Sequence, residues 1–499
     1  MSKTVLARQC FFSRPRRQFS TSSVKRTSTS PQRYNMSEPA VRSGNVKKFS
    51  DIPGPLALPI MRHHAHVLPR IGCFHHTVGL GLLEGLQQRY GDLVRFAKAT
   101  RSRPVLYVFD PELMKEVYDS NMTVSPQWSQ SPLNEHRKNA DTKCPMQSDE
   151  SKAVWTALRT LLQDDSFLRN FDKAFDDIAV DVTRRLEGLR HAGNALNEEL
   201  QTEIYRWAIE IIGVLIFGMR LGCLDGNVHV PTEENRNPEK TSMDDHIKDL
   251  CSLTKKSERD LSPAERFVRC SLDVANENYL VRSEDTLRQE SETFNEALKT
   301  FDKHYSLTDH FLVRALENLN NEELKAEQVL LNKLRPLERR ILPLAADAFL
   351  AGVDPVIGAD GDQHAVRAVA AATGGVVRRS VGELSVAGYE VPEGVDIVLA
   401  HGVSSKLEKE WGRAKSFIPE RWHSDGWRPL NASRAHRCAS MPFGQTCPAA
   451  GVVNKMLSSL AIRVLDTYRI EWHGTAPRVT AAGVNKIQRP YYFVLQNAG

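Results

Sequence analysis

Hydrophobic positions repeat most regularly near the C-terminus, where apolar side chains recur every fourth residue in two adjacent rows. The rows are Val452, Met456, Leu460 and Val464, and Val453, Leu457, Ala461 and Leu465. Since residues four apart lie on one face of a helix, this pattern predicts an amphipathic helix whose apolar face is buried.

Two further stretches have helical spacing. Residues 155–219 include a dense apolar run around Trp207 and Ile211, and residues 324–352 form a second stretch that Pro336 and Pro343 interrupt. The segment 384–399 alternates apolar and polar side chains around a turn, which predicts a β-hairpin. Helices on both sides of a short β element predict a mainly α fold with a small β region.

Two segments follow neither period. Ile52-Pro53-Gly54-Pro55 has no helix potential, and it predicts a hinge at which the folded part of the chain begins. Residues 355–380 include a run rich in Gly and Ala that has no amphipathic order, so we expect this segment to be atypical and disordered.

With 41% hydrophobic and 25% charged residues, the chain has the composition of a globular protein, and collagen-like and disordered classes are excluded. The 8 cysteines contain no C-x-x-C pair, which argues against a zinc ribbon and a disulfide framework. The longest apolar run, residues 211–219, is about half as long as the ~20 residues that span a bilayer.

Basic residues are concentrated at the N-terminus. Residues 1–48 hold 11 Lys and Arg and one acidic residue, Glu38, so the rest of the chain is mildly acidic although the formal net charge is +5. The first 37 residues contain no acidic residue and are rich in Arg and Ser, which predicts a mitochondrial transit peptide with a disordered basic tail in residues 1–48; a basic tail alone is the alternative. Nucleic-acid binding is not expected, because the basic charge is confined to this segment.

Cys447 directly precedes the C-terminal helix, in the sequence PFGQTCP at 442–448. Pro448 suits a first helical position, which places Cys447 at or beside the N-cap. The helix dipole and the free backbone N–H groups at that end favour thiolate over thiol. The residues alone leave three interpretations open: a buried structural cysteine, a nucleophile, and the axial ligand of a haem.

Together these residues resemble the cytochromes P450, a family of haem-thiolate monooxygenases, and especially their mitochondrial, ferredoxin-dependent branch. The similarity covers most of the chain after residue 50. The matching motifs are Ile52-Pro-Gly-Pro, W-x-x-x-R at 155–159, the segments 205–210 and 220–225, Ala-Gly-Val-Asp at 351–354, the hairpin 388–394, Pro-Glu-Arg-Trp at 419–422, and Pro442-Phe443-Gly444 with Cys447.

The resemblance implies a single cytochrome P450 domain at 49–499 that binds haem b, with Cys447 as the ligand of the iron. The cofactor-binding residues that it implies are Trp155, Arg159, Phe443, Gly444 and Cys447. Asp354 is implied as the acid of a proton relay in the oxygen-binding helix. The implied partners are a mitochondrial ferredoxin with its NADPH-dependent reductase and a lipophilic, sterol-like substrate. The implied location is the matrix side of the inner membrane, with peripheral association.

Three features depart from the family pattern. The family's F-G-x-G-x-R-x-C has seven positions from Phe to Cys, whereas Cys447 follows Phe443 by four. Pro355 stands where the family usually has Thr. Only 33 residues separate Asp354 from Gly388, and at ~11 residues per helix we expect some of the family's helices to be missing there.

The family's E-x-x-R pair should lie in this short interval, and the interval does not contain it, so Arg421 is expected to lack its usual partners. The pattern occurs elsewhere, at Glu187/Arg190, Glu203/Arg206, Glu233/Arg236 and Glu410/Arg413. We interpret Glu203 and Arg206 as a surface ion pair between residues three apart on a helix.

Three functions are compatible with the sequence. The first is hydroxylation of a lipophilic molecule by a haem monooxygenase. The second is an inactive, truncated or mispredicted family member without haem chemistry, which the Gly- and Ala-rich segment favours. The third is a matrix protein that binds an apolar ligand without redox chemistry.

Overall fold

The structure is a computed structural model. It describes residues 47–55, 80–97, 103–124, 132–139, 156, 158–190, 195–196, 199–225, 261–277, 291–320, 330–334, 341–357, 375–414, 416, 418–422, 430–444, 447–475, 479–482, 484–487 and 492–498. The predicted transit peptide, apart from its last two residues, lies outside this set.

Helices form most of the regular structure in the described part of the chain. They are α1 (Leu80–Tyr90), α2 (Pro111–Asp119), α3 (Pro132–Asn139), α4 (Asp165–Leu168), α5 (Asp172–Gly188), α6 (Glu199–Phe217), α7 (Pro263–Asn276), α8 (Ser291–Asn320), α9 (Leu330–Leu334), α10 (Ile341–Ile357), α11 (His401–Ser404) and α12 (Ala450–Thr467). None of the described helices is long and apolar enough to cross a membrane.

The strands are short and belong to four small sheets among the described residues. They are β1 (Lys47–Lys48), β2 (Leu93–Ala97), β3 (Pro104–Val108), β4 (Thr123–Val124), β5 (Ala195–Leu196), β6 (Val376–Ser380), β7 (Leu384–Val386), β8 (Tyr389–Val391), β9 (Asp396–Leu399), β10 (Tyr468–Trp472), β11 (Val479–Ala482), β12 (Val484–Ile487) and β13 (Phe493–Asn497). The sheet orders are β2-β3-β9-β6-β4, β1-β8-β7, β10-β13-β5 and β11-β12. The predicted mainly α fold with a small β region is confirmed.

The predicted C-terminal helix is present as α12, which packs against α5. The first hydrophobic row is the better buried, with Val452, Met456 and Val464 at 3%, 1% and 8% exposure. The prediction is wrong for the end of the second row, because Leu465 is 55% exposed. One neighbouring helix covers only a narrow stripe of α12, so a second row on its flank is partly open to solvent.

The largest core cluster joins α5, α6, α7, α8, α10 and α12. Trp207 and Ile211 of the predicted apolar run are fully buried in it. In α10, Pro343 is the third residue, where the missing N–H has no helical partner to lose. The helix also continues through Pro355 to Ile357, so this proline does not end it. Within the segment 355–380, which we expected to be disordered, residues 355–357 belong to α10 and residues 376–380 form β6. Pro336 and residues 358–374, the middle of the interval in which we expected missing helices, lie outside the described residues.

The predicted hairpin at 384–399 is shorter than expected. Strands β7 and β8 pair around Ala387 and Gly388, which have φ of 51° and 76°, a combination typical of a two-residue hairpin turn. Pro392 directly follows the last paired residue of β8. It has no N–H to donate, so the strand pairing ends before it. Strand β9 belongs instead to the five-stranded sheet, parallel to β3 and antiparallel to β6.

The N-terminal segment of the described chain packs on the sheets. Lys47 and Lys48, which the sequence assigned to the basic tail, form β1 parallel to β8. The predicted hinge at residues 52–55 is fixed as well, because the N–H of Arg95 donates to the carbonyl of Pro53 at 2.8 Å. A Cβ on Gly54 would lie 2.1 Å from the Arg95 carbonyl oxygen, so only glycine fits at this approach.

The interpretation of Glu203 and Arg206 as a surface pair is wrong. Their side chains are 6% and 13% exposed, because α6 is covered by both α5 and α7. Glu203 also accepts hydrogen bonds from Arg185 of α5 at 2.5 and 3.0 Å, and Arg206 pairs with Glu265 of α7 at 2.7 Å. The network connects three helices through buried charges.

Candidate functional site

The described surroundings of Cys447 are built from the start of α12. Cys447 lies two residues before Ala449, the N-cap of that helix, and is partly buried. Its sulfur accepts hydrogen bonds from the backbone N–H groups of Ala449 and Ala450. The helix therefore presents two donors to one thiol, as its position in the sequence predicted.

The charge state of this thiol differs from the sequence expectation. Burial raises the pKa of Cys447, and this effect exceeds the lowering by the two amide hydrogen bonds and by the positive charge of Arg159. The helix dipole alone predicted a lowered pKa, and it neglected the cost of desolvating the anion. Coordination to a metal cation would favour the thiolate directly.

Arg159 lies in the helical segment 158–163, and its charge acts on Cys447 although 287 intervening residues separate the two in the sequence. The two segments pack against each other: a Cβ on Gly451, in the first turn of α12, would lie 3.1 Å from the Leu162 carbonyl oxygen. Two of the predicted cofactor-site residues are thus close together. Trp155, a third, lies outside the described residues.

Phe443 and Gly444 form a half-buried turn before Cys447. Gly444 has a φ of 58°, and its N–H donates to the carbonyl of Met441 at 3.0 Å. A Cβ on Gly444 would lie 3.3 Å from Cγ2 of Val376, so the turn packs against strand β6. The described part of the short loop is therefore supported by the five-stranded sheet.

The length of chain that matches a family profile decides which protein family the Cys447 site belongs to. A sequence profile described as Cytochrome P450 matches residues 53–333 and 367–493. The chain belongs to the cytochrome P450 family. Members of this family are oxidoreductases, and P450s carry a haem whose iron is held by a Cys thiolate.

The relatives of this P450 include mitochondrial proteins. It is 22% identical to a protein named Probable cytochrome P450 49a1 of Drosophila melanogaster, over 91% of this chain and 83% of that protein. It is 22% identical to Probable cytochrome P450 301a1, mitochondrial, of the same fly, over 86% and 83%. It is 28% identical to the mitochondrial 25-hydroxyvitamin D-1 alpha hydroxylase of Mus musculus, over 38% and 37%. The resemblance to the mitochondrial branch is confirmed.

The residues around Cys447 fit a haem ligand. Amide donors to the sulfur are a standard means of tuning a thiolate ligand, and Arg159 offers a cation close to it. The iron would be held by Cys447, with Arg159, Phe443 and Gly444 beside it. No group of three or more His, Cys, Asp or Glu residues that could hold a separate metal ion occurs within the described ranges.

Asp354 lies in α10, but its side chain is outside the described residues, so its role in a proton relay stays a prediction. The P450 profile leaves out residues 334–366, and this gap contains the whole of α10. This is the region in which the sequence departs most from the family pattern.

The sequence missed a second acid of α10, Asp347. It forms an ion pair with Arg137 of α3 and a hydrogen bond with Tyr305 of α8. Burial nevertheless raises the pKa of Asp347. Because Arg137 and Asp347 are 210 residues apart, no local pattern in the sequence could have paired them.

Arg421 of the Pro419–Trp422 turn is 5% exposed, and its hydrogen-bond partners differ from those of the family pattern. Its guanidinium donates to the carbonyls of Gly412 at 2.6 Å and Arg413 at 2.8 Å. Burial is the main cause that lowers the pKa of Arg421, and the charge of Arg413 adds to it. Arg413, which the sequence analysis named only as part of an E-x-x-R match outside the expected interval, therefore contacts Arg421 through its backbone carbonyl.

Proposed function

We propose that this chain is a mitochondrial haem monooxygenase that hydroxylates a lipophilic, sterol-like molecule with electrons from a ferredoxin. The observation that carries the proposal is the sulfur of Cys447, which accepts two backbone hydrogen bonds at the start of α12 beside the charge of Arg159. Bound haem b supplies the activation of dioxygen, by which one oxygen atom enters a C–H bond of the substrate.

Each candidate residue has a separate task in this proposal. Cys447 holds the iron as a thiolate, and Arg159 with Trp155 binds a carboxylate at the edge of the haem. Phe443 and Gly444 shape the turn that brings Cys447 to the iron. Asp354 moves protons to the oxygen site from within α10.

The substrate class and the partners rest on the relatives. The mouse relative is named as a 25-hydroxyvitamin D hydroxylase, which supports a sterol-like substrate for this P450. The mitochondrial names of two relatives support a ferredoxin with its NADPH-dependent reductase as the electron source. They also support a location at the matrix side of the inner membrane with peripheral association, for which the basic N-terminus acts as transit peptide.

The test is the reduced carbon monoxide difference spectrum of the purified full chain. We expect a thiolate-type Soret band in the wild-type protein and its complete loss in Cys447→Ala, because the side chain of alanine has no sulfur to bind the iron. Cys270→Ala is the matched control: this cysteine lies in α7, is 0% exposed, and should leave the band in place. A thiolate-type band that persists in Cys447→Ala would contradict the assignment.

A second candidate is an inactive family member without haem chemistry. The observations that favour it are the haem loop with four positions from Phe443 to Cys447 and the profile gap at 334–366. Comparison of the transcript with the genomic exons tests it. A continuous transcript that encodes residues 334–380 as given, together with stoichiometric haem in the purified chain, would exclude this candidate.

A further inference from the structure

A buried histidine outside the predicted site contacts the segment that leads to Cys447. His401, the first residue of α11, is fully buried. Its Nδ1 lies 3.0 Å from the carbonyl oxygen of Cys438, and its Nε2 lies 2.8 Å from the hydroxyl of Tyr118 in α2. The imidazole therefore bridges α2 and the residues that precede the haem loop.

The partners of His401 determine its tautomer. A carbonyl oxygen can only accept, so Nδ1 carries the proton and donates to Cys438. Nε2 then has a lone pair, and the Tyr118 hydroxyl donates to it. Burial lowers the pKa of His401 to about 4, which keeps the ring neutral near neutral pH. A neutral ring in this tautomer satisfies both contacts.

Neighbouring side chains hold the same segment. The hydroxyl of Ser404, also in α11, donates to the carbonyl of Ala439 at 2.9 Å. The N–H of His436 donates to the carboxylate of Glu410 at 2.9 Å. Three successive parts of the backbone at 436–439 are thus fixed by side chains of residues 401–410, an arrangement that we name the 436–439 anchor.

The anchor matters more in this chain than in one with a longer loop. Only eight peptide steps connect Ala439 with Cys447, and Gly444 is already held against β6. In such a short connection, a shift of the first residue also moves the last one, since few dihedral angles are available to absorb the shift. The position of the Cys447 sulfur therefore depends on where residues 436–439 lie.

We propose that His401 is a positioning residue for Cys447, acting through its hydrogen bond to the Cys438 carbonyl. The inference rests on the proposed function, because it assigns His401 a role toward the thiolate ligand of the haem. His401 does not contact the reacting groups. Its task is to hold the backbone from which the short loop reaches the iron, with Tyr118 orienting the ring.

Spectra of His401 variants of the haem-loaded full chain test this role. His401→Leu removes both hydrogen bonds, and we expect at least half of the thiolate-type reduced carbon monoxide band to be converted to a band without thiolate character. His401→Asn retains a donor near the position of Nδ1, so it should preserve most of the thiolate-type band. A purely structural role predicts equal loss in both variants, and that result would overturn the proposal.

The control is His304→Leu. His304 is also fully buried, and neither of its ring nitrogens has a hydrogen-bond partner within the described structure. This variant removes a buried imidazole without touching the anchor, so its thiolate band should be unchanged. If His401→Leu fails to fold, Tyr118→Phe removes only the outer hydrogen bond, and it should still lower the thiolate-type fraction; an unchanged fraction would overturn the proposal.

A second readout separates this inference from the proposed function. Amide hydrogen exchange of the full chain as purified requires no bound haem, and it reports on the N–H groups of Ala439 and Gly444, which donate to His436 and Met441. His401→Leu should accelerate their exchange about tenfold, and His304→Leu should not. If the purified chain lacks haem but His401→Leu accelerates exchange, the proposed function is rejected and the role of the 436–439 anchor is retained. If His401→Leu leaves the exchange unchanged, the role of the anchor is rejected.

Discussion

At Cys447 and His401, the same physical effect acts on two different groups. Burial raises the pKa of the thiol and lowers that of the imidazole, so in both cases it favours the neutral form. The hydrogen bonds of each side chain oppose this effect without reversing it. The local sequence shows only the hydrogen-bonding potential of a residue, and for this reason the sequence predicted the wrong direction for Cys447.

The buried His401 gives the stability of the fold a defined pH dependence. The folded pKa of His401, about 4, lies below the ordinary histidine pKa of 6.5, so the unfolded chain binds the proton more readily. The stability that the neutral ring contributes is complete above pH 6.5 and is lost as the pH falls toward 4. Between about pH 7.5 and about pH 5, the expected loss is about 2 kcal/mol.

Denaturant unfolding at these two pH values measures this loss. The groups that face the ring are the Tyr118 hydroxyl and the Cys438 carbonyl, and Arg378 acts on Tyr118. We expect His401→Asn to reduce the difference in unfolding free energy between the two pH values. His304, whose pKa burial lowers to about 3, contributes with the same sign and remains in that variant. An equal pH dependence in wild type and variant would contradict the assignment.

At the scale of elements, close backbone approaches fix how segments pack, and Gly54 is the sharpest example. Gly54→Ala would place a Cβ 2.1 Å from the Arg95 carbonyl oxygen, so the 52–55 segment must move away from β2. We expect a loss of about 1–3 kcal/mol in the free energy of unfolding. Gly388→Asn is the control, because a Cβ at Gly388 meets nothing within 4 Å and Asn tolerates its φ of 76°. Equal effects of the two substitutions would contradict this account.

The buried charge network between α5, α6 and α7 leads to a second prediction about how helices are held together. Glu203→Ala leaves the guanidinium groups of Arg185 and Arg206 without their shared carboxylate, and we expect a loss of about 3 kcal/mol in unfolding free energy. Glu187→Ala removes a 61% exposed partner of Arg190 and should cost less than about 1 kcal/mol. Comparable denaturation midpoints for the two variants would show that the buried network contributes little.

Across the described structure, the sequence predicted the helices and strands better than the contacts between them. The helix after Cys447, the apolar run around Trp207 and the hairpin at Gly388 were all predicted, because each depends on a local period or turn. The pairs Tyr118–His401 and Arg137–Asp347 join residues 283 and 210 positions apart. Such contacts follow from how the elements pack, which no local pattern encodes.

For the candidate site, the sequence predicted the motif residues but not the groups that support them. Cys447, Arg159, Phe443 and Gly444 were named from motifs, and the structure brings Arg159 close to Cys447. The supports of the site were missed, since the carbonyl partners of Arg421 and the anchor of 436–439 are backbone groups without a side-chain signature. Motifs preserve the residues that carry chemistry, and the backbone atoms that hold them can be supplied by any residue type.

The parallel pairing of β3 with β9 has a consequence for the order of synthesis. Leu106 pairs with Ile397, so the two strands leave the ribosome 291 residues apart. At a synthesis rate of about 5–20 residues per second, one edge of β3 stays unpaired for roughly 15–60 s. An open edge can pair with a foreign strand, so the unfinished chain is prone to aggregate during this interval.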